Sequence, residues 1–169
     1  MSKPLKYILH LDDHQLFLNG FQNAVTKISD NYRFIQFQHP DEALSYIETS
    51  IMVDNPVDII ITDFNHMGKN GYDFSCAVKN LEIKYNRLYK IPVLMVSMVV
   101  SYFHPGKESI TDFVIRNKRE ELMNMHYNND CVVKGIEENT ISALLSKNCI
   151  AEQIIELVDY LDNNKILYF

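Results

Sequence analysis

Two adjacent carboxylates, Asp12 and Asp13, close an apolar run near the start of the chain, and a third, Asp63, closes another run much further on. If the two runs are strands of one sheet, these side chains gather at a common edge. Like charges held together in this way are costly: at about 4 Å and an effective dielectric near 20, each pair repels by roughly 4 kcal/mol. Such a cluster either keeps a proton or holds a cation. Hard carboxylate oxygens suit Mg2+, which retains several waters and takes one or two carboxylates together with phosphate oxygens. Ser97 ends a third run and Lys147 follows a fourth, which adds a hydroxyl and an ammonium as donors for phosphoryl oxygens. Singly, each residue has a plainer reading, because acidic residues after strands often cap a helix or turn and an exposed Lys is usually solvated. Their conjunction is what points to phosphate chemistry.

The elements that must position these groups are legible as an alternation. Continuous apolar runs at Tyr7–Leu11, Tyr32–Phe37, Val57–Thr62, Ile91–Met98 and Ile141–Leu145 lack a polar face, the pattern of strands covered on both sides. Between and after them lie helical stripes: Leu16, Phe17, Phe21, Val25 and Ile28; Ala43, Leu44, Ile47 and Ile51; Phe74, Ala77, Val78, Leu81 and Tyr85; and Ile150, Ile154, Leu157, Val158 and Leu161. Alternating strand and helix predicts an α/β fold, a parallel sheet with helices on both faces, because parallel strands need long, right-handed crossovers. Ligands of such sheets collect at the carboxyl ends of the strands, where the acidic residues, Ser97 and Lys147 fall.

Composition narrows the function. The 169 residues carry 22 acidic and 16 basic side chains, a net charge of −6, so a direct nucleic-acid partner is not expected. The longest apolar run, Ile91–Phe103, contains a Pro and two Ser and is shorter than the roughly 20 residues of a membrane helix. The start, MSKPLKY, lacks the features of a secretory signal, and a cytoplasmic protein is expected. Cys76, Cys131 and Cys149 are odd in number and widely spaced, which suits buried thiols better than a zinc site or a disulfide framework.

The segment Ser101–Glu138 breaks the rhythm. It holds HPG at 104–106, a charged, helix-patterned run over Ile110–Met125, an Asn-rich turn at Asn128–Asp130, and then CVVKGIEEN. A crossover needs only about a dozen residues, so roughly 101–130 reads as an insertion within a single domain spanning 1–169.

The sequence resembles the receiver domains of two-component response regulators. KYILHLDDHQLFLNGF looks like that family's first strand, acidic pair and first helix. NPVDIIITDFNHMGKNGYDF resembles the segment around the phosphoacceptor aspartate, with Asp63, Asn70 and Gly71 at the family's spacing; KIPVLMVSM resembles the strand ending in its Ser/Thr, and SALLSKNCIAEQIIELVDYL its last strand, Lys and final helix. The resemblance implies a flavodoxin-like, CheY-like doubly wound sheet of five parallel strands, with the insertion in the fourth-to-fifth crossover. It implies that Asp63 accepts a phosphoryl group, that Asp13 and Asp63 ligate Mg2+ directly, Asp12 through water and Asn65 through its main-chain carbonyl. Lys147 would pair with Asp63 and then with the phosphoryl group, and Ser97 would turn inward to bond it. The implied partners are a sensor histidine kinase or histidine phosphotransfer protein and a downstream protein target. The activity the resemblance implies is phosphoryl transfer onto the protein itself, not conventional enzymology.

Five positions depart from the family pattern: His66-Met67 replaces the usual Met-Pro, Met98 replaces a small residue after the switch hydroxyl, Leu144 stands where an aromatic is common, and Asn148 replaces a Pro that follows the Lys. They bear on activation more than on phosphorylation. Lys134 also follows a short apolar stretch, but Lys147 is preferred because an amphipathic helix begins immediately after it. His14 reads as the start of the first helix, His10 as a core residue and His66 as a loop residue. The end of the chain shortly after the last helix predicts a receiver with no output domain. Two other readings stand beside it: a degenerate, non-phosphorylated receiver serving as an interaction module, its insertion giving partner specificity or dimerisation, and a flavodoxin-like cofactor enzyme. The last is disfavoured because no phosphate-cradling loop follows the first strand.

Overall fold

In the computed structural model, residues 5–66, 68–98, 102–109, 111–113, 115–116 and 130–165 are described. Five strands form one parallel sheet in the order β2-β1-β3-β4-β5, with β1 at Lys6–Leu11, β2 at Tyr32–Phe37, β3 at Ile59–Asp63, β4 at Val93–Ser97 and β5 at Ala143–Ser146. The helices are α1 (Gln15–Thr26), α2 (Pro40–Met52), α3 (Gly71–Lys84), α4 (Asp130–Glu137) and α5 (Ala151–Asn163). This is the doubly wound sheet expected from the alternation of strand and helix. The expected β2 matches its observed bounds, while β4 and β5 are shorter or shifted relative to Ile91–Met98 and Ile141–Leu145.

Every residue of β3 and β4 is buried, which is why these strands lack a polar face. Alternate side chains feed separate layers. Ile8, Ile59, Ile61, Leu94, Val96 and Leu145 pack under α1 and α5, whereas Leu9, Leu11, Ile60 and Val93 pack under α2 and α3. A third cluster joins Met95, Leu144 and Ile141 to Val132 and Ile136 of α4 and to Phe103 and Phe113.

Helix ends follow local chemistry. Pro40 opens α2 with Asp41 and Glu42 in its first turn, and Asn70 caps α3 by accepting a 2.8 Å hydrogen bond from the Asp73 amide. After α2, α3 and α4 the chain reverses at Asp54, Asn86 and Asn139, all with φ between 51° and 56°. Asp and Asn are the side chains that tolerate this left-handed conformation, and the accompanying bonds, such as Thr140 N to Gly135 O at 2.8 Å, return helix carbonyls to the backbone.

Three expectations are corrected. Leu16 (88% exposed) and Ile28 (49%) lie outside the buried stripe of α1, which is Leu18, Phe21 and Val25. Ile150 is the N-cap of α5 and is 59% exposed. CVVKGIEEN, read with the irregular segment, supplies most of α4, a helix of the β4-to-β5 crossover. Of the expected helical run Ile110–Met125, residues 111–113 and 115–116 are described and are helical; the rest of the run, and over half of the expected insertion at 101–130, lie outside the described residues. The three cysteines are free and half-buried. No helix among the described residues is long and apolar enough to cross a membrane.

Candidate functional site

Parallel register brings the polar strand ends together. Leu11 pairs with Thr62, Asp63 with Val96 and Ser97 with Ser146. The residues at or just beyond these pairs are Asp12, Asp63, Ser97 and Lys147, so four groups remote in sequence lie at one carboxyl edge. Asp12 is fully buried, with Asp63 (6% exposed) and Ser97 (2%) nearly so.

The ammonium of Lys147 is the centre of the site. Its Nζ lies 2.7 Å from Asp12 Oδ2 and 2.8 Å from Asp63 Oδ2, and all three side chains are 10% exposed or less. Burial pulls the lysine pKa down, but the hydrogen bonds and charges of Asp12 and Asp63 outweigh it and raise the group above its ordinary 10.5. The other carboxylate oxygens are held by backbone: Asp12 Oδ1 accepts from the His14 amide at 2.8 Å and Asp63 Oδ1 from the Phe64 amide at 2.7 Å. Asp13 is more open, and His14 Nδ1 lies 2.7 Å from its Oδ1. The backbone of Lys147 is tied to β4 by its amide, which donates to Ser97 O at 3.1 Å.

Lys134, the alternative lysine, is on the exposed side of α4, 3.8 Å from Glu138 and over the Tyr72 ring; it takes no part in this cluster. Asn65 is exposed in the loop after β3, where it forms an isolated bridge with Asn70.

The spacing of Asp63 to Gly71 has a steric cause. A Cβ at position 71 would fall 2.6 Å from the Asp63 carbonyl oxygen and 2.9 Å from Met95 Cε. Glycine therefore lets the first turn of α3 lie directly against the end of β3, and the Gly71 amide donates to Phe64 O at 2.6 Å.

Several participants were not legible as such. Phe17, counted among core positions of α1, has its ring centroid 4.6 Å from Lys147 Nζ. His66 is not simply a loop residue: its Nε2 is 2.8 Å from Thr62 Oγ1, and burial lowers its pKa against the opposing pull of Asp63, Asp12 and Asp13. His10 is buried as expected, among Phe17, Phe21 and Phe34, and burial drives its pKa down to about 3. Met98 is 64% exposed, directed away from the interior, and Leu144 is fully buried.

The donor set fits a divalent ion. Ligand atoms of Asp12, Asp13 and His14 lie within 4.8 Å of one another, and Asp12 and Asp63 face each other across a single cationic group, Lys147 Nζ. A pocket that already holds one cation between two buried carboxylates, with a third carboxylate alongside, is matched to a hard cation.

No protein-family model matches the sequence, and no curated protein is significantly similar to it. Solved structures are similar in fold. The signal receiver domain of the response regulator NarL from Mycobacterium tuberculosis superposes with a TM-score of 0.63 at 16% identity, covering 95% of this chain and 98% of that one. The receiver domain of the histidine kinase CKI1 from Arabidopsis thaliana, complexed with Mg2+ and BeF3−, gives a TM-score of 0.64 at 17% identity over 94% and 91% of the two chains. A response regulator receiver domain from Clostridium thermocellum gives 0.62 at 16% identity over 94% and 95%. The chain has the flavodoxin-like fold of receiver domains.

Proposed function

We propose that this chain is a two-component receiver whose Asp63 accepts a phosphoryl group and thereby switches the binding of a protein partner. The observation that carries the proposal is the buried contact of one ammonium, Lys147, with both Asp12 and Asp63 at the carboxyl edge of the sheet. A carboxylate oxygen of Asp63 forms a bond to phosphorus as the bond from phosphorus to the donor group breaks. That donor is a phosphohistidine of a sensor kinase or of a histidine phosphotransfer protein.

Charge develops on the equatorial oxygens during such a transfer, so catalysis consists of positioning and cationic stabilisation. Asp12, Asp13, Asp63 and the Asn65 carbonyl would hold Mg2+, which when bound supplies Lewis-acid stabilisation of phosphoryl oxygens. Lys147 releases Asp63 Oδ2 and turns its donors to the new phosphoryl group. Ser97, at the end of the adjacent strand, supplies a hydroxyl donor to the same group. The phosphorylated carboxylate is a new local dianion, and the donors it recruits bias the surrounding loops toward a second arrangement. His66, close to Asp63 and bonded to Thr62, sits where it can affect the lifetime of that state.

The test is incubation with acetyl phosphate and Mg2+ followed by intact-mass measurement. Wild type is expected to gain about 80 Da, the mass of one phosphoryl group, and Asp63→Asn to gain nothing. An unmodified wild type under conditions that phosphorylate a control receiver would overturn the proposal in favour of a degenerate receiver that acts by binding alone.

A further inference from the structure

Lys147 Nζ is held from more than one direction. Asp12 and Asp63 contact it at 2.7 and 2.8 Å, and the Phe17 ring centroid lies 4.6 Å away. The ring is itself fixed by its neighbours: it meets the His10 ring edge-on at 5.9 Å and 71°, and the Phe21 ring at 5.7 Å. An aromatic face carries negative quadrupole density and attracts a cation within about 6 Å, more strongly when water is excluded. The Lys147 side chain is only 10% exposed, so the contact is largely shielded from solvent.

Lysine needs such a support. Its ammonium is a compact charge on a flexible four-carbon stem. Two carboxylates alone leave it able to follow whichever moves, and a leucine at position 17 would exclude water equally well without attracting the charge. The geometry points to Phe17 as a positioning residue: its ring face seats the Lys147 ammonium beside Asp63, so that the charge is in place when phosphoryl oxygens arrive. The kinetic part of this inference rests on the reading of Asp63 as the phosphoacceptor; the seat itself is a property of the unphosphorylated protein.

The experiment compares Phe17→Leu and Phe17→Tyr in the full chain, with Phe17→Met as a second ringless variant should the leucine form fail to fold. Thermal melting establishes that each variant compared is folded. NMR then reads the Lys147 ε-methylene protons, which a ring beneath the ammonium shifts upfield; the shift is expected in wild type and Phe17→Tyr and lost in Phe17→Leu. Phosphoryl uptake from acetyl phosphate at saturating Mg2+ is expected to slow roughly tenfold in Phe17→Leu, the size of a partly desolvated cation–π contact, and to return to within about twofold of wild type in Phe17→Tyr. Unshifted ε-methylene resonances in wild type would remove the seat. An unchanged rate in a folded ringless variant would remove its role, as would equal slowing in Phe17→Tyr. A wild type that takes up no phosphate at all, with the upfield shift present, would overturn the phosphoacceptor reading, and the positioning role would fall with it.

Discussion

Replacing Lys147 by Met removes a cation from between two buried carboxylates while keeping most of the side-chain volume. The loss can be bounded from the contacts. Nζ touches Asp12 Oδ2 and Asp63 Oδ2 at 2.7 and 2.8 Å, and the two carboxylate side chains are 1% and 8% exposed. Breaking a buried ion pair by deleting one partner costs about 3–5 kcal/mol, because a charge is left uncompensated. With an m-value of roughly 2 kcal/mol per molar urea, the unfolding midpoint in EDTA should fall by about 1.5–2.5 M. The folded-state pKa of Lys147 is raised above 10.5, so its contribution is complete below that pH and is lost only as pH rises above it. A comparison at neutral pH therefore sees the full difference. Mg2+ bound in the pocket would supply the missing positive charge, and without a competing ammonium it should bind the variant more tightly. A fixed Mg2+ concentration should thus stabilise Lys147→Met more than wild type, as expected for a ligand that binds only the folded state. A loss below about 1 kcal/mol in EDTA, or an equal Mg2+ increment in the two proteins, would refute the reasoning.

Other substitutions probe separate parts of the framework. Gly71→Ala forces a methyl to 2.6 Å from the Asp63 carbonyl; overpacking of this kind should cost about 1–3 kcal/mol, and a calorimetric midpoint equal to that of wild type would show that α3 does not need the close approach. His10 has a pKa lowered from 6.5 to about 3 by burial, so the unfolded chain binds the extra proton between those values. Stability from this group is lost as pH falls below 6.5, by up to about 1.4 kcal/mol per unit, and His10→Leu should flatten the acid limb of urea midpoints measured from pH 6.5 to 4.5. Lys134→Ala, at an exposed position on α4, should alter stability by no more than about 0.5 kcal/mol and leave acetyl phosphate uptake unchanged; slowed uptake would mean that the wrong lysine has been assigned to the site.

The sheet was readable because strands buried on both faces must be largely apolar, as β3 is at Ile59–Ile61 and β4 at Val93–Val96. Their carboxyl ends were readable because polarity returns where the ladder ends, at Asp12, Asp63 and Ser97. Boundaries were less so, since Asp63 and Ser146 join the ladders through backbone groups that every residue carries. Leu16 satisfies the helical spacing of α1 but stands in its first turn, where it is 88% exposed. Periodicity places Phe17 facing inward, where it packs against the core, but does not report which charged group another strand brings against it. Gly71 was visible only as part of a spacing; its cause, the approach of α3 to the Asp63 carbonyl, is a tertiary contact.

Among the substitutions that distinguish this chain from the usual receiver pattern, the structure accounts for one, at position 144, in detail. Leu144, at a position where receivers often carry an aromatic, is fully buried. Its backbone exchanges hydrogen bonds with Phe103 at 3.1 and 3.2 Å, on the edge of β5 that faces away from β4. The Phe103 ring packs 5.0 Å from that of Phe113, in the cluster that also contains Met95 of β4 and Val132 and Ile136 of α4. A side chain enclosed in this way cannot swing between inward and outward positions without opening that cluster. Strand register fixes the charges of the pocket, whereas the packing of Phe103, Phe113 and α4 against β5 fixes the surroundings. A rearrangement of β4 at Ser97 would therefore have to act on this packed layer as a unit rather than on a single ring at position 144.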